Sequence, residues 1–162
     1  MAFRSYFFNN FYVAGIRTGI QAGHAVDEMW LELVEHLEAG TLDETKQNWL
    51  VILKEFAKTD KTFVVLNGGD HQQLQDLIAL LTENNDYPWS FATEPGLNDA
   101  ITSVRVVLPE RLYDKVSDRV GRILLKTEQE RSPTDLDFVK TAGYSPWEQE
   151  FLTRRLKCGL AD

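Results

Sequence analysis

The stretch Thr62-Phe-Val-Val-Leu-Asn-Gly-Gly-Asp-His-Gln-Gln-Leu74 contains the change of pattern that determines the fold. Its first five residues form an apolar, β-branched run that predicts a buried strand, and Asn67-Gly-Gly69 predicts the turn that ends it. Asp70 can then cap a helix, because its carboxylate can accept hydrogen bonds from free amides of the first turn. The apolar stripe of this helix is Leu74, Leu77, Ile78 and Leu81. A strand that passes directly into an amphipathic helix is typical of α/β proteins.

The same alternation of patterns extends to both sides of this stretch. Further strands are predicted at residues 4–11, 89–93 and 101–108. Further helices are predicted at residues 16–38, 41–56 and 110–126. The helix at 41–56 opens with Thr41-Leu-Asp-Glu44, which has the pattern of a capping box. Strand–helix–strand units joined by right-handed crossovers then predict an α/β fold with a four-stranded mixed sheet covered by helices.

The last part of the chain predicts a helical C-terminal extension. Residues 127–132 are polar and are expected to form a linker. Ser132-Pro-Thr-Asp135 and Ser145-Pro-Trp-Glu148 each combine a cap residue, a proline in the first turn and an acid at the third position, so they predict two short helices. We expect residues 1–126 to form an α/β hydrolase-like domain and residues 127–162 to pack on it. For the apolar side chains of the last helix, a core position is favoured over an interface: Trp147, Phe151, Leu152 and Leu156.

Size and charge restrict the classes of function. With 162 residues, of which 43% are hydrophobic, the chain suits one compact domain. A net charge of −8 repels polyphosphate at long range and disfavours a general nucleic-acid binder. No apolar run approaches the ~20 residues that span a bilayer, and the first residues lack the layout of a secretion signal. No membrane partner is therefore expected.

The cysteines and histidines of the sequence limit the possible disulfides, the expected cellular location and the possible metal sites. Cys158 is the only cysteine, so an intrachain disulfide is excluded and a reducing, cytoplasmic location is expected. Its place near the C-terminus argues against a catalytic role. His24, His36 and His71 lack the spacing of a zinc site, so no metal is expected. The sequence has no P-loop and no dinucleotide fingerprint, so no other cofactor is expected either.

A first polar cluster is predicted on the helix at 16–38. Arg17, Gln21 and His24 are separated by four and three residues, so they share one face. Gly19 and Gly23 lie beside them, and a glycine inside a helix costs about 1 kcal/mol relative to alanine. A close approach to the sheet or to a ligand would explain that cost. The alternative is structural, with His24 hydrogen-bonded in the core and Arg17 as a surface cation.

A carboxylate is predicted on a tight turn between the last two strands. Pro95 favours extended geometry at Glu94, and Gly96 permits a positive φ. Such a turn would hold the carboxylate at the end of a strand, where a site can form. Turns of this kind also occur without any function, so the pattern alone leaves both interpretations open.

A basic ridge is predicted on the helix that follows Pro109. Its five members recur at helical spacing: Arg111, Lys115, Arg119, Arg122 and Lys126. On a chain this acidic, the ridge could contact phosphates or an acidic partner. The alternative is a solvated face that pairs with Asp114, Asp118 and neighbouring helices.

Two of these segments resemble the second, archaeal and eukaryotic, family of peptidyl-tRNA hydrolases. That family has a first strand and then the pattern G-K-x-x-x-Q-x-x-H-A, which the segment at residues 16–25 matches at Gln21, His24 and Ala25. Arg17 stands where the family has lysine. A later D-A-G-x-T turn of the family corresponds to Glu94-Pro-Gly-Leu-Asn98, which keeps the glycine and has a longer carboxylate. The resemblance covers residues 4–126 in the order of elements.

The resemblance implies metal-independent hydrolysis of the ester that joins a peptide or an N-blocked amino acid to tRNA. It assigns the site to five residues: Arg17, Gln21, His24, Glu94 and Asn98. Arg17 would stabilise the oxyanion and Glu94 would position a water, while Thr102 or Ser103 would supply a nearby hydroxyl and the basic ridge would meet the tRNA. The alternative is a catalytically inactive relative that binds a protein or an RNA, with the terminal helices as its interface or as a homodimer contact.

Overall fold

The structure of the protein, a computed structural model, describes residues 2–161. These residues form four strands: β1 (Phe3–Asn10), β2 (Phe63–Gly69), β3 (Trp89–Glu94) and β4 (Ala100–Pro109). They also form six α-helices: α1 (Ile16–Ala39), α2 (Glu44–Glu55), α3 (His71–Glu83), α4 (Lys115–Leu125), α5 (Pro133–Ala142) and α6 (Pro146–Lys157).

The four strands make one mixed sheet in the order β2-β1-β4-β3. β1 and β2 are parallel, and β4 runs antiparallel to both of its neighbours, β1 and β3. β1, β2 and β3 therefore point the same way and end at one edge, which we call the carboxyl edge. α1 and α3 both follow strands that end there. The prediction of an α/β fold with a four-stranded mixed sheet is confirmed.

Alternating side chains give the sheet two faces with different neighbours. Phe7 and Val107 point to the side covered by α1 and α2, which we call the α1 face. Phe8 and Val106 point to the opposite side, covered by α3, α4 and α6, which we call the α4 face. The helix that carries the first polar cluster and the helix that carries the ridge therefore lie on opposite sides of the sheet.

Two predicted helix starts are wrong, for the same reason. α2 is capped by Asp43, whose carboxylate accepts a hydrogen bond from the Lys46 amide at 2.8 Å, and not by Thr41. Asp114 likewise caps α4 by accepting from Ser117, so the predicted helix at 110–126 is divided. Residues 110–112 form a separate 3-10 turn before it. In both places an aspartate downstream of the expected start provides the acceptor that a helix N-terminus prefers.

The two helix starts predicted for the extension are confirmed. Ser132 and Ser145 each begin a helix with a complete capping box and proline in the first turn. Phe151 and Leu152 of α6 are fully buried, and the Phe151 ring meets the edge of Phe8 at 6.2 Å between centroids. The expected core position is therefore confirmed for these two side chains.

The two outer strands of the sheet differ in what covers them. Along β2, the segment 159–161 adds a short antiparallel bridge, in which Asn67 donates to the Gly159 carbonyl and Ala161 donates to the Val65 carbonyl. No strand in the described part of the chain pairs with the outer side of β3. Among the helices within residues 2–161, none has the length and hydrophobicity needed to cross a membrane.

Candidate functional site

A β-bulge at the carboxyl edge sets the geometry of the site. Ala92 pairs with Ser103 and Thr93 pairs with Ile101, so Thr102 is an extra residue in β4. Bulges bend a strand locally and change the direction of a side chain. Here the Thr102 side chain, which is almost fully buried, reaches the α1 face. Its hydroxyl lies 2.6 Å from Gln21 Oε1 and 3.3 Å from the Ala92 carbonyl oxygen, and it can donate to either acceptor.

Gln21 connects this hydroxyl to the carboxylate on the β3–β4 turn. Its side chain is buried and its Nε2 donates to Glu94 Oε2 at 3.3 Å. The order is therefore hydroxyl, amide, carboxylate, and the Glu94 carboxylate, which accepts hydrogen bonds, fixes which end of the Gln21 amide faces it. Within residues 2–161 no hydrogen bond reaches Glu94 Oε1. That oxygen is left for a water or a substrate.

The turn that carries Glu94 is held in a conformation that few residues adopt. Residues 95–97 form one 3-10 turn, and Asn98 and Asp99 follow with φ of 55° and 56°. Asn and Asp tolerate this left-handed region better than other non-glycine residues. Asn98 is exposed, and in the described part of the chain no hydrogen bond links it to the Thr102–Gln21–Glu94 chain.

Arg17 and His24 lie on the exposed surface of α1 beside this chain. Arg17 is one turn before Gln21, so its guanidinium projects from the same side of the helix. Neither residue has a hydrogen bond or ion pair within residues 2–161. The alternative that places His24 in the core is wrong because the side chain is exposed. The positions of Arg17 and His24 depend on the helix alone, whereas Gln21 and Glu94 are held by each other.

The two glycines of α1 do not approach the sheet. A Cβ added to Gly19 or Gly23 would meet no atom of residues 2–161 within 4 Å. Ala22 and Ala25, which are buried, make the contact with β1 and β3 instead. The predicted close approach to the sheet is therefore wrong, and the glycines leave open surface next to Arg17 and Gln21.

Polar residues outside the two segments of the predicted site hold its base. Asn10 Nδ2 donates to the Ile101 carbonyl at 3.0 Å, and the Ile101 amide donates to His71 Nδ1 at 3.1 Å. Asn9 Nδ2 donates to the Thr18 carbonyl at 2.9 Å and so ties the first turn of α1 to β1. Two adjacent amides at the end of an aromatic strand are the feature of the sequence that could have identified Asn9 and Asn10.

The five ridge residues are not one open surface. Arg111 lies in the turn before α4, where it makes two hydrogen bonds to the Glu148 carboxylate at 3.1 and 3.2 Å. The Arg119 guanidinium lies 3.9 Å from the centre of the Phe138 ring, and Lys126 pairs with Asp135 at 3.0 Å. Three of the five cations therefore contact the C-terminal extension. Two others are exposed with no ion pair within residues 2–161: Lys115 and Arg122.

The Arg111–Glu148 pair also affects the titration of the carboxylate. Burial raises the pKa of the Glu148 carboxyl, but the hydrogen bonds from Arg111 and from the Ser145 amide outweigh it. The net pKa of Glu148 lies below its ordinary value. This pair joins the start of α6 to the turn before α4, so it belongs to the structure of the extension.

Across residues 2–161, no three His, Cys, Asp or Glu side chains come together in a way that could hold a metal ion. Comparison of the chain with protein-family models, with curated proteins and with solved structures finds no match.

Proposed function

We propose that the protein is a metal-independent ester hydrolase that acts on peptidyl-tRNA or on N-blocked aminoacyl-tRNA in the cytoplasm. The observation that supports this proposal most is the hydrogen bond between Gln21 and Glu94. These residues lie 73 positions apart in the chain and belong to the two segments that resemble the hydrolase family. Thr102, one of the two residues expected to supply a hydroxyl, is the third member of the same chain of hydrogen bonds.

In this proposal the Glu94 carboxylate activates a water for attack on the ester carbonyl. Gln21 holds one carboxylate oxygen and leaves the other free to accept a proton from that water. Arg17 cannot act as a base because its guanidinium stays protonated, but its charge can stabilise the oxyanion that forms on the carbonyl. His24 and Asn98 border the same surface and contact the substrate. Lys115 and Arg122, on the other side of the sheet, are the ridge cations that remain open to a tRNA backbone.

The test is release of an N-acetylated amino acid from charged tRNA by the pure protein. Glu94→Gln keeps the shape of the side chain and its bond to Gln21 but removes the base, so we expect the rate to fall at least ~100-fold. Arg17→Ala should also lose activity. Arg17→Lys should retain activity because lysine keeps the positive charge, and lysine is the residue that the family has at this position.

Glu35→Gln is the matched control for Glu94→Gln, because Glu35 is an exposed carboxylate further along α1. It should leave the rate unchanged. Full activity of Glu94→Gln, or no hydrolysis by folded wild-type protein at any enzyme concentration tested, would contradict the proposal.

A second candidate is a catalytically inactive relative that serves as a binding module. The observation that favours it is that no strand within residues 2–161 pairs with the outer side of β3, since an unpaired strand can bind another chain. Under this alternative neither the wild-type protein nor Glu94→Gln would hydrolyse the charged tRNA.

A further inference from the structure

The outer side of β3, uncovered within residues 2–161, is a candidate binding surface, and the observations that support it do not depend on the proposed hydrolysis. The outer side of β2 is bridged by the segment 159–161. β3, with the sequence Trp89-Ser-Phe-Ala-Thr-Glu94, has no lysine, internal proline or covering segment in the described part of the chain. Proteins commonly protect an edge strand by such features, because its free amides and carbonyls can pair with another chain.

The hydrogen-bond pattern shows which groups of β3 are free. The Val107 amide donates to the Pro88 carbonyl at 2.9 Å, and these residues are directly opposite in the β3–β4 register. Bonded and non-bonded pairs alternate along antiparallel strands, so Ser90 and Ala92 bond to β4. Trp89 and Phe91 therefore direct their amides and carbonyls away from the sheet.

A groove of about 460 Å³ runs beside these free groups on the side of α1 and α2. Glu28 and Glu32 of α1 form one wall. Glu32 is paired with Lys46 at 2.7 Å, while Glu28 is exposed and has no ion pair within residues 2–161. The Phe91 ring, 40% exposed, stacks on Trp89 on the other side of the strand.

We propose that β3 binds an extended segment of a partner protein. The segment adds a fifth strand to the sheet, and its sequence alternates apolar with basic residues. Main-chain groups of the segment pair with Trp89 and Phe91, as in other cases of strand addition. Because side chains alternate along a strand, every second residue of the segment faces Glu28 and the residues between face Phe91. Lys46 neutralises Glu32, so Glu28 is the carboxylate that selects lysine or arginine, and the exposed ring selects an apolar side chain.

A second copy of this chain is a poorer occupant. Pairing of two β3 strands about a two-fold axis would place the acidic walls of both copies on the same side of the joined sheet, facing each other. Each copy also carries a net charge of −8, so the approach is opposed by repulsion.

The experiment selects binders from a random decapeptide library displayed on phage, using the full chain as bait, and then titrates synthetic versions of the enriched peptides by tryptophan fluorescence. We expect alternating apolar–basic sequences. Phe91→Pro should weaken their binding at least ~10-fold, because it removes the outward amide while leaving the bonds to β4 in place. Phe91→Thr is the matched control, since it also removes the ring but keeps the amide, and it should bind more tightly than Phe91→Pro.

Glu28→Lys provides a second variant that does not alter the strand, and it should remove the preference for basic peptides. Circular dichroism melting establishes that each variant is folded. Enriched peptides that bind Phe91→Pro as well as Phe91→Thr would overturn the proposal, as would the absence of enrichment. A concentration-dependent dimer that Phe91→Pro abolishes would also overturn it, in favour of a second copy. None of these results depends on hydrolytic activity.

Discussion

The two faces of the sheet are built differently. On the α4 face, apolar side chains from β1, β4, α3, α4 and α6 form one large cluster. On the α1 face there are two small apolar clusters, and buried polar side chains lie on the same strands: Asn9, Thr102, Ser103 and Arg105. Burial of apolar surface is the main source of stability, whereas buried polar groups at best offset their own desolvation. The difference predicts that the α4 face contributes most of the stability, and we propose that the buried polar groups next to the carboxyl edge, such as Thr102, serve the site.

The largest effect that this comparison predicts is on the α4 face. Phe151→Ala removes a fully buried ring between α6 and the sheet, so we expect the free energy of unfolding to fall by about 3–5 kcal/mol. Urea unfolding followed by circular dichroism measures this. Leu136→Ala, at an exposed position of the same extension, should change the free energy by less than about 0.5 kcal/mol. Equal losses in the two variants would remove the distinction between core and surface on this side.

No loss of stability is expected from a substitution at the centre of the α1 face. Arg105 is 2% exposed, its Nε donates to Ser5 Oγ at 2.8 Å, and it has no carboxylate partner within residues 2–161. Burial lowers the pKa of its guanidinium to about 10. Arg105→Met replaces a buried charge by an apolar side chain of similar length, so we expect the free energy of unfolding to stay the same or to rise by about 1 kcal/mol. A loss of several kcal/mol in urea unfolding would show that this polar group stabilises the fold.

The smallest effect concerns pH and the extension. The pKa of Glu148 is depressed in the folded state, so its contribution to stability is present above the unfolded pKa of about 4.3 and is lost as pH falls through the lower folded value. The partner Arg111 is half-exposed, which limits the contribution to about 1 kcal/mol or less. Glu148→Gln should therefore reduce the difference in unfolding free energy between pH 7 and pH 3. An unchanged difference would assign the acid sensitivity to other carboxylates.

The parts of the fold that depend on local pattern were predictable from the sequence. Helix and strand types follow from periodicity, and the capping boxes at Ser132 and Ser145 follow from residues within one turn. The starts at Asp43 and Asp114 differ from the prediction because the apolar and charged periodicity extends upstream of the aspartate that caps each helix. In the site, Gln21 and Glu94 were selected from their segments. The bulge that turns Thr102 toward them depends on the register of two strands, which no short segment specifies.

The basic ridge shows a second feature that a sequence pattern does not predict, namely which element covers a helical face. Its spacing predicts one helical surface, but Arg111 precedes α4 and three of the five cations contact the extension that follows. Helical spacing describes which residues share a face and contains no information about which element covers that face.

The most direct test of the account is Gln21→Leu, with the rate of N-acetyl-aminoacyl-tRNA hydrolysis and the free energy of unfolding measured on the same preparation. Leucine fills the buried space but cannot hold Glu94, and Thr102 can still donate to the Ala92 carbonyl. If the polar groups of the α1 face serve the site, the rate should fall at least ~10-fold while stability stays within about 1 kcal/mol of wild type. An unchanged rate combined with a loss of several kcal/mol would contradict the account, because Gln21 would then be a structural residue.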